Sequence, residues 1–176
     1  MFSRHALVLA ATVVALTACG SPTAEPAAPA ASPATSTSAS AVAATGGLSI
    51  TDPWVKTTKK GMTAAFGTLV NGTDQPITIV SGTSPLSSAI ELHEVVENDG
   101  KMVMRPKEGG FVVPAHGTHL LEPGGDHIML MDVTKEVLPG AQIPFTLQVQ
   151  GGQPLEFTAV GKDFAGGEED YQPGHK

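Results

Sequence analysis

Apolar and polar residues alternate with a period of two in a series of short runs from Leu48 onward. Successive side chains of an extended chain point to opposite faces, so this period marks strands with one face toward a core. The runs are Leu48-Ser-Ile-Thr-Asp-Pro-Trp-Val-Lys, Ala64-Ala-Phe-Gly-Thr-Leu-Val-Asn, Ile77-Thr-Ile-Val, Ala89-Ile-Glu-Leu-His-Glu-Val-Val, Met102-Val-Met and Phe111-Val-Val. His119-Leu-Leu, His127-Ile-Met-Leu-Met, Ile143-Pro-Phe-Thr-Leu-Gln-Val and Leu155-Glu-Phe-Thr-Ala-Val follow. Most are bounded by Gly, Pro, Asn or Asp, and such spacing predicts an all-β sandwich or barrel. Pro53 interrupts the first run, which suits an edge strand. Asn71-Gly72 and Asn98-Asp-Gly read as turns. A helical turn is expected only at Val133-Thr-Lys-Glu-Val-Leu, before Pro139-Gly140.

Upstream of the strands the pattern changes twice. Residues 1–18 carry one Arg and an apolar run from Ala6 to Leu16. That run is short of the roughly 20 residues a permanent membrane span needs, and it has the length of a secretory signal. Leu16-Thr17-Ala18-Cys19 resembles a bacterial lipobox, which implies lipidation of Cys19 and an anchor to the membrane face. Residues 19–47 are almost entirely Ala, Pro, Ser and Thr and cannot bury enough apolar surface to fold, so they read as a flexible tether. Residues 48–161 remain as one domain, followed by a Gly- and acid-rich segment, 162–176, expected to be a flexible tail.

Composition narrows the chemistry. A formal charge of −7 with no basic stripe argues against a nucleic-acid partner. The single Cys lies at the anchor, so the domain has no disulfide, no thiolate metal ligand and no Cys nucleophile. Gly-x-Ser-x-Gly, His-Glu-x-x-His and a phosphate-binding loop are all missing, and the chain is not expected to be an enzyme.

The soft and intermediate donors are concentrated between His93 and Met131, which holds four of the six Met (Met102, Met104, Met129, Met131) and four of the six His (His93, His116, His119, His127). Thioether and imidazole without thiolate suit Cu(I) better than zinc, iron or magnesium. On a strand, His127 and Met129 share a face about 6.5–7 Å apart, and Met131 lies about 13 Å from His127, which assigns it to the core. The hairpin at Asn98-Asp-Gly puts His93 on its incoming strand and Met104 on its outgoing one, near the same sheet rim. Met102 has the parity of Met104 and replaces it under another register. Against this, Met in an apolar strand is ordinarily packing.

The order His93, Met104, His127, Met129 resembles the metal-binding pattern of the periplasmic copper chaperone family PCu(A)C: a His, ten residues, a Met, twenty-one residues, then His-x-Met. Ten residues separate His93 from Met104, and twenty-two separate Met104 from His127, the additional one placed in Glu108-Gly-Gly. Glu94 stands where some members carry a further Met. Asp52-Pro-Trp-Val, Ala64-Ala-Phe-Gly-Thr-Leu-Val-Asn, Met104-Arg-Pro and Pro123-Gly-Gly-Asp-His-Ile-Met-Leu-Met also match. The resemblance implies a cupredoxin-like, Greek-key β-sandwich whose exposed rim site holds Cu(I) through His93, Met104, His127 and Met129. It further implies a monomeric copper chaperone delivering to an exported cuproenzyme, the dinuclear copper site of cytochrome c oxidase subunit II, with a Sco-like thiol protein as co-worker.

His116 and His119 have a spacing able to capture Cu(II) or zinc but read better as a solvated turn; His175 reads as tail, and Asp52 and Asp126 as capping or supporting groups. Two other readings stay open. One is a copper-storage or scavenging lipoprotein. The other is an envelope β-sandwich in which the Met are core.

Overall fold

A computed structural model of the chain describes residues 43–166 and 170–172. The signal sequence, Cys19, most of the tether, and His175 lie outside the described residues. The first runs become β1 (Ala43–Thr45), β2 (Leu48–Lys56), β3 (Gly61–Asn71) and β4 (Ile77–Thr83). They are followed by β5 (Ala89–Asn98), β6 (Lys101–Pro106), β7 (Phe111–Val113) and β8 (Thr118–Leu121). The last are β9 (His127–Val133), β10 (Gln142–Val149), β11 (Leu155–Lys162) and β12 (Asp170–Tyr171). Each alternating run of the sequence forms a strand. The expected helical turn does not form; among the described residues there is no helix, and Val137 instead bridges Thr58.

The hydrogen-bonded order is β12-β6-β5-β9-β3-β2-β11-β10-β4-β7, with β8 added to β3 and β1 to β2. This path folds over on itself as a sandwich. Ala65, Leu92, Ile128 and Leu130 of one limb share a core with Ile79, Phe111, Val113, Phe145 and Leu147 of the other. Their burial is the main favourable term holding the limbs together, about 1.5–3 kcal/mol for each large side chain.

The β2–β3 ribbon joins the two parts. Leu48–Ile50 pair with β1, and Trp54–Lys56 pair in parallel with β11. The register of β2 against β3 shifts between Thr51 and Trp54, with Asp52 at φ 49°. Pro53 therefore sits at a bulge inside the sheet, not on an edge: a bulge leaves its residue out of the ladder, so the missing N–H costs nothing there. Asn71-Gly72 does mark a turn, but the strands it joins do not pair with each other, since β4 pairs with β10 and β7. Buried Asn71 instead accepts from the Thr73 N–H at 2.9 Å and donates to the carbonyls of Gln75 and Val113, turning the chain into the other limb. By contrast, β5 and β6 do form the expected hairpin, closed by Asp99 (φ 51°) and Gly100 (φ 78°), a pair that meets the positive φ of a type I′ turn.

The C-terminal segment differs from the expected tail. Lys162 ends β11, and Asp170 and Tyr171 add a short parallel strand to β6, opposite Val103 and Met104.

Candidate metal centre

The face of the β6-β5-β9-β3-β2 sheet turned away from the core cluster carries the candidate residues. Directly opposed residues on paired strands share a face. His93 is opposite His127, and Glu91 is opposite Met129. Ala64 of β3 is opposite Met129 from the other side, and Met104 of β6 is opposite Val95, one diagonal step from His93. The structure thus brings His93, Met104, His127 and Met129 onto one patch of one face, while Leu92, Ile128 and Leu130 point into the core, as period-two parity requires.

The four are buried rather than at an exposed rim: His93 is 0 % exposed, His127 4 %, Met129 4 % and Met104 8 %. A row of rings from β2, β3, β9, β5 and β12 covers this face. Trp54 meets Phe66 at 4.4 Å between centroids, Phe66 lies 6.2 Å from His127, and His127 lies 5.4 Å from His93 at 68°. Tyr171 of β12 ends the row, stacked on His93 at 5.5 Å and 4°. The matched segments around Trp54 and Phe66 thus belong to the site's own wall. Solvent reaches it through a cleft of about 340 Å³ lined by Met104, His127 and Met129, with Lys56, Met62 and Pro123 among its other walls. Pro123 belongs to a turn closed by the Gly125 N–H donating to Glu122 O at 3.0 Å, directly before His127.

Both imidazoles are oriented by neighbours. His127 Nδ1 is 2.9 Å from the Gly125 carbonyl, which places the proton on Nδ1 and makes Nε2 the basic nitrogen. His93 Nε2 is 2.7 Å from Glu91 Oε2, so Nε2–H donates to the carboxylate and Nδ1 carries the lone pair. That Nδ1 is buried without a hydrogen-bond partner among the described residues, as suits a nitrogen kept for a metal. Burial pushes the His93 imidazole below the usual histidine range, against the opposing pull of Glu91. The set of two imidazoles and two thioethers, neutral and free of thiolate, is soft enough for Cu(I) and lacks the cysteine of a blue-copper electron carrier.

Other candidates are placed elsewhere. Met102 is exposed near the hairpin turn, opposite Glu97, so it is Met104 that lines the cleft. Met131 lies on the site face opposite Ala89, half-buried and outside the core to which the sequence assigned it. It keeps the parity of His127 and Met129, in regular register with β5, so its distance along the strand keeps it from the other donors without turning it into the core. Glu94 faces away from the site and pairs with Arg105 and Lys107, the Lys107 hydrogen bond holding its carboxyl below the ordinary range. His116 and His119 do not converge: His116 Nε2 is 2.8 Å from Asp74, and His119 Nε2 is 2.8 Å from Asp126, without hydrogen-bond alignment. Asp126 also meets Lys107 at 3.4 Å, so it supports the loop before His127. Among the described residues, His, Cys, Asp and Glu alone form no cluster of three able to hold a metal; any site here depends on the Met. Glu91 and Tyr171 were missed by sequence reasoning. For Glu91 a signal existed, since it has the parity of His93 on the same strand; for Tyr171, 80 residues from Glu91, none did.

The domain is similar to known proteins in sequence and in fold. The family model "Putative lipoprotein LpqE-like" matches residues 48–160. The "Putative lipoprotein Lxx21020" of Leifsonia xyli subsp. xyli is 37% identical over 126 residues, covering 72% of this chain and 76% of its own length. Among solved structures, the copper-bound PCuAC domain from PmoF2 superposes with a TM-score of 0.59 at 19% identity, covering 70% of this chain and 99% of that domain. Apo-DR1885 from Deinococcus radiodurans, in solution, gives 0.54 at 26% identity, covering 89% of this chain and all (100%) of that one. The chain belongs to the LpqE-like lipoprotein family and has the cupredoxin-like β-sandwich fold of the PCuAC copper chaperone domains.

Proposed function

We propose that this protein is an exported, lipid-anchored copper chaperone that carries Cu(I) on His93, Met104, His127 and Met129. The observation that carries this reading is the convergence just described: two imidazoles in register across β5 and β9, their rings 5.4 Å apart, with a thioether from β9 and one from β6 beside them at an open cleft. The copper-bound state of a PCuAC domain of the same fold and the lipoprotein names of the family and its relative support it.

Cu(I) is closed-shell and imposes little geometry, so neutral donors on a sheet can take it up without rearranging the fold. The cleft gives an incoming thiolate or imidazole of another protein a route to the ion, and transfer proceeds by ligand exchange. Residues 19–47 tether the domain to Cys19 at the outer face of the membrane, within reach of membrane-bound acceptors. The acceptor is an exported cuproenzyme, the dinuclear copper site of cytochrome c oxidase subunit II, with a Sco-like thiol protein assisting.

The deciding experiment is an anaerobic Cu(I) titration of residues 21–176 against a chromophoric chelator, with Met104→Ala and Met129→Ala alongside. One tight equivalent, weakened by about 10- to 100-fold or more in each variant, is expected. Binding indifferent to both Met would return them to packing and end the proposal. Transfer to purified subunit II, against none to an apo-protein without a copper site, separates delivery from storage.

A further inference from the structure

The cleft brings a fifth donor to the site that the family pattern does not contain. Met62 lies on β3, two residues before Ala64, the residue opposite Met129, and so shares the site face. It lines the same cleft as Met104, His127 and Met129 and is 49 % exposed, whereas those three are at most 8 % exposed. His93 is different. It is 0 % exposed, does not line the cleft, and is held from behind by Glu91 and Tyr171. An ion coming through the cleft therefore meets three thioethers and the His127 imidazole before it can reach His93 Nδ1.

From this we propose that Met62, with Met104, His127 and Met129, forms an outer Cu(I) position through which the metal passes on its way to and from His93. The inference rests on the reading of the chain as a copper carrier. On transfer inward, the Cu–S bond to Met62 breaks as the Cu–Nδ1 bond to His93 forms; copper stays Cu(I) and no proton moves, because Nδ1 already carries its lone pair. Release runs the same steps in reverse, and the acceptor's ligand displaces Met62 at the mouth of the cleft. A long, unbranched and half-exposed side chain is suited to this, since it follows the ion over several ångströms at little cost. The same side chain packed only for its bulk would leave copper kinetics untouched.

The two roles separate in rate. A donor that binds only in the outer position lowers the barrier in both directions and leaves the end states alone, so its loss slows uptake and release by the same factor. In the soluble chain without its anchor, residues 21–176, stopped-flow release of Cu(I) to bathocuproine disulfonate is expected to slow by about tenfold in Met62→Leu, with the equilibrium affinity unchanged within about threefold. Met62 is exposed, so the substitution leaves the fold intact, which a near-UV circular dichroism spectrum verifies. In a His93→Ala background, where the outer position is all that remains, adding Met62→Leu is expected to weaken Cu(I) binding by a further tenfold or so. A release rate in Met62→Leu equal to that of the wild type overturns the inference whether or not His93→Ala folds. If instead the wild type binds no Cu(I), the copper-carrier reading fails; if it binds with dependence on Met104 and Met129 while its release rate does not depend on Met62, only the outer position fails.

Discussion

His93 shows how much a single side chain is constrained by its surroundings. It is wholly buried, and a buried imidazole needs a partner for its N–H and disfavours its charged form. Glu91 supplies the partner at 2.7 Å. Glu91→Ala is expected to destabilise the domain by about 1–3 kcal/mol by leaving Nε2–H unpaired, and Glu91→Gln by much less, because its side-chain carbonyl still accepts. Urea denaturation of the two variants checks the order; equal losses would mean that the hydrogen bond is not what matters. Burial also lowers the His93 pKa from its ordinary 6.5. Above that value folded and unfolded chains are both neutral at this residue. Between it and the lower folded value the unfolded chain binds the extra proton, so the contribution of His93 makes stability fall as pH falls through that window. An NMR titration of its ring is expected to give a midpoint below 6.5, and a midpoint at or above it would contradict the account.

At the scale of elements, the site depends on register. Because side chains alternate, a one-residue slip of β9 against β5 would turn His127 and Met129 into the core and Ile128 outward. The fully buried core positions Ile128 and Leu130 make such a slip costly, so they hold the metal face in place without touching it. Close approaches between elements matter as much. Gly110 precedes β7 at φ +76°, and a Cβ there would lie 1.9 Å from the Ile79 carbonyl oxygen. Gly110→Ala must push β7 off β4 or break that approach, and a loss of about 1–3 kcal/mol or more is expected in chemical denaturation. A variant as stable as the wild type would show that this loop adjusts freely.

Over the whole molecule, the chain returns to close what its middle builds. Phe164 packs on Trp54 at 5.6 Å, Thr57 donates to Asp163 at 2.7 Å, and Gln172 N–H donates to Met104 O at 2.9 Å. Both ends of the row of rings are thus held by residues near the C-terminus. Removing residues 163–176 is expected to open His93, so that diethylpyrocarbonate modifies it in the shortened chain and not in the intact one, as mass spectrometry of the peptide would show. Protection unchanged by the truncation would assign the burial of His93 to β5, β6 and β9 alone.

What the sequence determined by itself is what local rules decide. Period-two alternation marks each strand, since the pleat forces side chains to opposite faces whatever the strand's partner. Asp99-Gly100 marks the hairpin, since few pairs tolerate its backbone angles. The spacing from His93 to Met129 matches a donor pattern because two-residue parity and one short hairpin already place most of it. Tertiary structure alone decided the rest. Pro53 looks like an edge signal until a bulge takes it out of an interior ladder, and Asn71-Gly72 marks a turn without showing which partners its strands will find. Depth is likewise invisible in the sequence: nothing local distinguishes His93 at 0 % exposure from Met62 at 49 %. The pairing of Glu91 with Tyr171 spans 80 residues, and it exists only because β12 is added beside β6. Contacts of that kind form by hydrogen bonds and burial between distant segments, energies that no short window of residues contains.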